Sequence, residues 1–520
     1  MRKLLLIFLF LGQAVPVLLA QPSFQAKQSP SQSDFTAIQA FLSSGWMEGR
    51  EAGARGGFMA ADYIASMMQV NGLQPYGDEA DPDHGMGTGS FSRTYFQNFT
   101  VIRYHLERSS LAVVSHSSEG ESALHLEPGS QYVINPVPFG SEAETAMVFA
   151  GYGIAAPEKG YDDYRGIDVN HRVVIILDGY PGHQDTSAYA ARNKGKGFGA
   201  EAGTISRKLR LAGKLGAVGV IVINRHENSP EPVYEDPEYY LPGDTSLSGI
   251  PCFRLGSGYA KLLMSGTGID LPAFERRAAA DASPVGMVIR DKTIRFSVIV
   301  KSEAVTVRNV MGLVGGTDTT RNIIIGAHYD HLGTRNGVIY NGADDNASGV
   351  AGMLALSKIW AEAGEKPSCN LIFAAWTAEE KGLLGSSYFA SHSAMVPEGL
   401  SLVINMDMIS RSAPEDSNRR QVSIGTLPRN KDLKEMATAC NSHLDKPFTL
   451  DLWDVTGHTG SDYGPFAARK IPVMTFFSGF HADYHTPRDV VTATDPGKME
   501  KILKIVNDCI RITSSVAPER

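Results

Sequence analysis

A chain of 520 residues is too long for one ordinary domain, and its length suggests two or three. With 43% hydrophobic and 20% charged residues, 53 glycines and 27 prolines, it has material for a packed core, which excludes a disordered chain. A formal charge of −8 without any basic block argues against nucleic acid as a partner.

At the N-terminus Arg2 and Lys3 precede an apolar run, Leu4 to Ala20, that stops at Gln21. A charged start, an apolar stretch and a small final residue describe a signal peptide over residues 1–20, and so a secreted or periplasmic protein. The alternative is an uncleaved anchor, but Gln13 and Pro16 leave the run short of the ~20 apolar residues of a spanning helix. Cleavage would take the charge from −8 to −10 and leave no stable membrane insertion. Cys252, Cys369, Cys440 and Cys509 form no CxxC pair, which excludes a cysteine metal site; they read as buried thiols of unassigned pairing.

Gln21 to Asp34 is polar and reads as a mobile lead-in. A helix is expected next, because Ala60, Ile64, Met67, Met68 and Leu73 recur at helical spacing and Gly72 stands where a C-terminal cap belongs. Residues 35–140 are taken as the N-terminal part of a larger domain, with an acidic, glycine-rich loop at 77–90. From about Glu142 the pattern changes to strand-like runs, "AMVFAGYGI", "HRVVIILDGY" and "AVGVIVIN", with a helical "SRKLRLAGKLG" before the last. In order and spacing, "YRGIDVNHRVVIILDG", "KLRLAGKLGAVGVIVINR" and "IPCFRL" resemble a protease-associated domain, the small β-rich module inserted into many exported peptidases. The insertion is placed at 141–285; a plain α/β insertion is the alternative, and neither supplies catalytic residues.

Residues 286–520 alternate strands and helices: "NIIIGAHYD", "SGVAGMLALSKIWAEAG", "NLIFAAWTAEE", "SLVINMDMIS" and "IPVMTFFSGF". Near-continuous apolar strands separated by helices imply an α/β fold, a mostly parallel sheet covered on both faces. In such sheets chemistry collects at the carboxyl ends of the strands. Those ends carry His328 and Asp330, then Asp344 and Asp345 in the following loop, then Glu379 and Glu380, Asp407, and His481 and His485. One such residue is commonly a loop or helix-cap residue, and Asp345 alone would read as a cap. Five consecutive strand ends bearing only His, Asp and Glu point instead to zinc, and to more than the three protein ligands of one catalytic ion. Residues two apart on a strand share a face, so His328 can ligate while Asp330 orients an imidazole behind it. Parity equally allows His331 with Tyr329, and so leaves the choice open.

"HYDHLG", "NGADDNASG", "TAEEKGLLGS", "INMDMIS" and "DYHTPRD" resemble the five motifs of metallopeptidase family 28, the exported dizinc aminopeptidases and glutamate carboxypeptidases. The resemblance runs from about Arg308 to the C-terminus, with "GREAGARGGFMAADYI" as its N-terminal piece. It implies two Zn2+ per chain, with His328 and Asp407 on one, Glu380 and His485 on the other, and Asp345 bridging. It makes Glu379 the general base, Asp330 an orienting residue, and Tyr484 a stabiliser of the tetrahedral intermediate, although Tyr484 is as well explained by packing. His331 and His481 match no ligand position and read as rim or loop residues. "GHTGSDYG" falls where the family has a substrate-facing loop, and His458 there is a candidate to hold the oxyanion.

Other chemistries lack their signatures: there is no GxSxG elbow, no GxxxxGK[ST] loop ("NKGKGFG" only imitates one) and no HExxH. Ser348 reads as a helix start. Glutaminyl cyclases keep a reduced ligand set, and receptor-like relatives lose ligands, so the full set here favours catalysis. An aminopeptidase acting on peptide substrates is expected, with a carboxypeptidase or dipeptidase as the alternative. For the latter, Arg192, Arg207 and Arg210 could meet a terminal carboxylate; "VYEDPEYY" could meet an amine. No motif sets the oligomeric state. Asn98 and Asn346 fit the glycosylation pattern, but Asn346 lies inside a metal motif.

Overall fold

The structure, a computed structural model, describes residues 30–80, 92–118, 120–135, 140–183, 203–224, 238–243, 249–281, 284–392, 395–456 and 460–515. The expected signal peptide, Arg192, His458, the "NKGKGFG" loop and most of "VYEDPEYY" lie outside these residues. The chain divides into two units, one from residues up to Asn98 together with Arg308 onward, the other Phe99–Val307. This second unit is longer at both ends than the expected 141–285. The strands Phe96–Ser117 and Gly286–Val314 run through the boundaries, so composition does not shift there.

In the first unit the sheet order is Thr449–Asp454, Gln421–Thr426, Val473–Phe477, Leu400–Met406, Asp318–His328, Cys369–Trp376, then the end of Gly286–Val314. The four strands from Val473–Phe477 to Cys369–Trp376 are parallel neighbours, and antiparallel pairings close the parallel block on either side. The "NIIIGAH" and "CNLIFAAW" runs are buried throughout, as strands covered on both faces must be.

Alternation along one strand shows the two faces. Ile323 and Ile325 pack into a core with Leu354, Ile502 and Val506, whose helices are Gly349–Glu362 and Pro496–Ser515. Ile324, between them, packs with Trp376, Phe389 and Phe466 on the opposite side. Each fully buried aliphatic of this kind contributes about 1.5–3 kcal/mol.

The expected helix runs Arg55–Val70, and Gly72 follows at φ 84°, a left-handed position that glycine takes without strain. A second helix, Gln32–Leu42, begins inside what the sequence suggested was a mobile lead-in. The Ser31 backbone N–H donates to Asp34 Oδ2 at 2.9 Å, a reciprocal cap that starts a helix despite the polar composition. Among the described residues no helix is long and apolar enough to cross a membrane. All four cysteines are buried and none is in a disulfide; Cys509 Sγ donates to Cys440 Sγ at 3.8 Å.

In the second unit Cys252–Gly256, Gly219–Asn224, Val173–Leu177 and Ser141–Ala150 are parallel neighbours. The helix Ile205–Lys214 has its expected place, with Arg207 and Arg210 exposed on it. Two charges lie inside this unit. Lys208 Nζ donates to the carbonyls of Leu177 (3.1 Å) and Gly179 (2.6 Å). Asp163 Oδ2 accepts the backbone N–H groups of Tyr152 (3.0 Å) and Ile154 (3.1 Å). Burial raises the Asp163 pKa to about 7 and lowers that of Lys208 to about 8.

Candidate metal centre

The first group of ligating atoms forms where the strand Asp318–His328 stops. His328 Nε2 lies 3.3 Å from Asp407 Oδ1 and 3.4 Å from Asp345 Oδ1. Its Nδ1 faces the Asp330 carbonyl at 3.2 Å, which assigns the proton to Nδ1 and leaves Nε2 free to ligate. The Asp330 carboxylate is farther from the imidazole, at 3.9 Å. It accepts instead the backbone N–H groups of Glu379 (3.1 Å) and Glu380 (3.4 Å). Asp330 thus orients the imidazole through its carbonyl, and its side chain positions the glutamate pair, because the strand and its parity end at His328.

Asp345 joins this group to a second. Its Oδ1 faces His328, while Oδ2 lies 3.2 Å from His485 Nε2 and 3.7 Å from His331 Nδ1. Glu380 offers Oε1 to His331 Nδ1 at 2.7 Å and Oε2 to His485 Nε2 at 3.2 Å. Atoms of His328, Asp345 and Asp407 lie within 4.8 Å of one another, as do atoms of His331, Asp345 and Glu380. One carboxylate facing two adjacent nests of imidazole and carboxylate is a donor set that suits two zinc-sized cations sharing a ligand.

His331 and His481 stand in loops, as expected, but neither is at the rim. His331 is fully buried and flanks Glu380 opposite His485. His481 is only 5% exposed, and its Nε2 lies 3.5 Å from Asp344 Oδ2. Both follow the end of a strand, where the chain turns inward and two-residue parity no longer applies.

Two of the supporting residues, Asp489 and Arg50, are ones the sequence did not single out. Asp489 is fully buried and accepts the N–H groups of Asp344 (3.0 Å) and Asp345 (3.1 Å). Asp344, behind its neighbour, accepts the N–H (2.7 Å) and hydroxyl (2.8 Å) of Ser410. Asn346 is buried, with its side chain bonded to Met406, Met408 and Gly349, so it is no glycosylation site. Arg50 is fully buried and donates to the carbonyls of Tyr329 (2.7 Å), Leu42 (2.6 Å), Asn341 (2.7 Å), Gly342 (2.9 Å) and Asp345 (3.4 Å). Asp489 ends the "DYHTPRD" motif and Arg50 opens the "GREAGARGG" piece, but neither spacing tells a ligand from the residue that holds it.

The adjacent glutamates differ electrostatically. Burial, reinforced by Glu380, Asp407 and Asp462 against the pull of His328, raises Glu379 well above the carboxylate range. Burial also opposes ionisation of Glu380, yet its bonds to His331 and His485 hold it well below that range. Burial, with the carboxylates of Asp345 and Glu380 next, pushes the Tyr484 phenol above its ordinary value and keeps it a donor. The Tyr484 ring stacks on His485, with centroids 3.8 Å apart.

A cleft of about 380 Å³ opens onto His328, Asp345, Glu379, Glu380 and Asp407. Its walls add Trp453, Tyr463, Phe477, Phe480 and Tyr484, and its one further charged residue is Asp451. Among the described residues that line it there is no lysine or arginine.

Residues 309–510 match the model of Peptidase family M28. A "Probable zinc metalloprotease" of Pyrenophora tritici-repentis is 35% identical over 139 residues, 26% of this chain and 31% of that protein. "Leucine aminopeptidase 2" of Arthroderma otae is 31% identical over 192 residues, 36% of this chain and 37% of that protein. The chain thus spans about a third of the length of these curated relatives. An aminopeptidase structure from Aneurinibacillus sp. strain AM-1 shares the fold over 93% of both chains at 19% identity, with a TM-score of 0.60. A zinc aminopeptidase structure from Bacillus subtilis does so over 94% of this chain and 96% of that one at 18% identity, with a TM-score of 0.53.

Proposed function

We propose, from the match of residues 309–510 to the model of Peptidase family M28, that the chain is an exported dizinc aminopeptidase that removes residues from the N-termini of peptides. The observation that carries the choice of terminus is the charge of the cleft. With the acids that would hold metal set aside, the remaining fixed charges of the lining, Glu379 and Asp451, are acidic and no described lysine or arginine joins them, so this lining offers a terminal carboxylate no cation of its own.

His328, Asp345 and Asp407 would hold one ion, and Asp345, Glu380 and His485 the other, with His331 against Glu380. Bound zinc supplies Lewis acidity to a water and to the scissile carbonyl. Glu379, which faces the cleft rather than the two histidines around Glu380, accepts the water's proton and returns it to the leaving nitrogen. Asp330 fixes the backbone from which both glutamates project. Tyr484, held as a phenol in the cleft wall, donates to the carbonyl oxygen as negative charge builds there. Export rests on the leader at residues 1–20. The protease-associated reading of the second unit rests on its motif order and on its parallel strands with the helix Ile205–Lys214 between two of them.

The test joins metal content to hydrolysis of an amino-acid anilide, a free dipeptide and an N-blocked dipeptide. About two zincs per chain are expected in wild type and in Glu379→Gln. The variant should lose about 10²–10⁴-fold in kcat on the unblocked substrates. Cleavage of the blocked dipeptide would move the assignment to a carboxypeptidase. Protein without zinc would overturn the site itself.

A further inference from the structure

The cleft extends along the sheet, away from the candidate ligands. Asp407 directly follows Leu400–Met406, and its N–H donates to Phe476 O at 3.1 Å in the neighbouring strand. In the next strand Ser423 pairs with Phe477, and in the edge strand Asp451 pairs with Ser423. Asp407, Phe477, Ser423 and Asp451 all line the cleft, so they form one row across four strands. Three strand spacings separate the ends of that row, about 14 Å between backbones.

The next row is flat. Trp453 pairs with Gly425, and a Cβ on Gly425 would fall inside the Trp453 ring, so the indole lies over the glycine as the floor of the cleft. Tyr463 meets its edge at 6.0 Å and 68°. At the far end the Asp451 carboxylate accepts the Ser423 hydroxyl at 2.9 Å. Lys434 pairs with Asp454, on the opposite face of the strand, and among the described residues no lysine or arginine pairs with Asp451.

An aromatic floor between the candidate ligands and an unneutralised carboxylate suits a side chain with an apolar stem and a cationic head. We propose that Asp451 and Ser423, reached across the Trp453 indole, form a subsite for the basic head of an N-terminal lysine or arginine. The proposal rests on the aminopeptidase reading above. The three- or four-methylene stem covers the indole, and the head hydrogen-bonds to Asp451. A leucine side chain fills only the part of the floor near the ligands.

The experiment compares kcat/KM for lysine, norleucine and leucine anilides in the zinc-loaded full chain. Norleucine has the stem without the charge. Wild type should favour lysine over norleucine by about tenfold, the factor expected of a charged hydrogen bond. Asp451→Asn should abolish that preference, bringing lysine down to the level of norleucine, and Ser423→Ala should reduce it in part. Raising the ionic strength should narrow it in wild type only. Hydrolysis of norleucine and leucine without a preference for lysine, or equal losses on all three in Asp451→Asn, would overturn the subsite alone. Failure of wild type on all three anilides would overturn the aminopeptidase reading, and the subsite with it.

Discussion

Arg50 shows how much of the site is held by a residue outside it. Its five donated bonds join the end of the helix Gln32–Leu42 to the loop after His328 and to the turn that carries Asp345. Burial lowers its pKa only to about 10, so it stays charged at neutral pH, assisted by Asp345, Asp330 and Asp489. Arg50→Met would leave several buried carbonyls unpaired and remove the cation among those acids. We expect a loss of about 3–5 kcal/mol in urea unfolding, together with weaker zinc retention. Arg50→Lys should recover only part of this, since an ammonium has three donors and no planar fork. A variant as stable as wild type would remove Arg50 from this account.

At the scale of elements, the strands were the most legible part of the sequence and the loops beyond them the least. Apolar runs such as "NIIIGAH" and "NLIFAAW" fixed both the strands and the ends from which His328, Glu379 and Glu380 project. The burial of His331 and His481 was not legible because they lie past those ends, in loops packed against Arg50, Asp489 and Asp344 rather than on a local period. The helix Gln32–Leu42 was missed because its start depends on a cap of two polar side chains. Gly425 was unreadable for a related reason: a glycine within a strand shows its purpose only once Trp453 is seen lying across it. Gly425→Val suits strand propensity but forces the indole into the cleft. We expect at least about a tenfold rise in KM for anilides of large side chains, from overpacking of about 1–3 kcal/mol, and little change for alanine anilide. An unchanged KM would show that the indole does not form the floor.

For the molecule as a whole, the two units keep different ionisable interiors. Acids facing candidate ligands fill the first, whereas the second buries Asp163 and Lys208 away from any candidate ligand. Burial raises Asp163 from an ordinary value near 4 to about 7, against the backbone N–H bonds from Ile154 and Tyr152 that favour its ionised form. A carboxyl with a raised folded pKa stabilises most when protonated. Its contribution is therefore complete below about pH 4 and is lost as pH rises through about 7, on the order of 4 kcal/mol. Asp163→Asn should flatten that part of the stability profile of the second unit, read as urea midpoints at pH 4, 6 and 8. A profile identical to wild type would show that Asp163 is ionised in the fold throughout.

Because residues 99–307 interrupt the first unit, its early helices are synthesised long before the strand that covers them. Phe35, Leu42, Ile64 and Met68 share a core with Ile323 and Ile325, but about 250 residues separate the helix ending at Val70 from the strand ending at His328. At roughly 5–20 residues per second the delay is roughly 13–50 s. During that interval the second unit, contiguous in sequence, has every residue it needs to fold, while the N-terminal segment waits with its apolar face uncovered. The nested layout therefore leaves the helices Gln32–Leu42 and Arg55–Val70 without their core partners until the part of the chain after Val307 has been made.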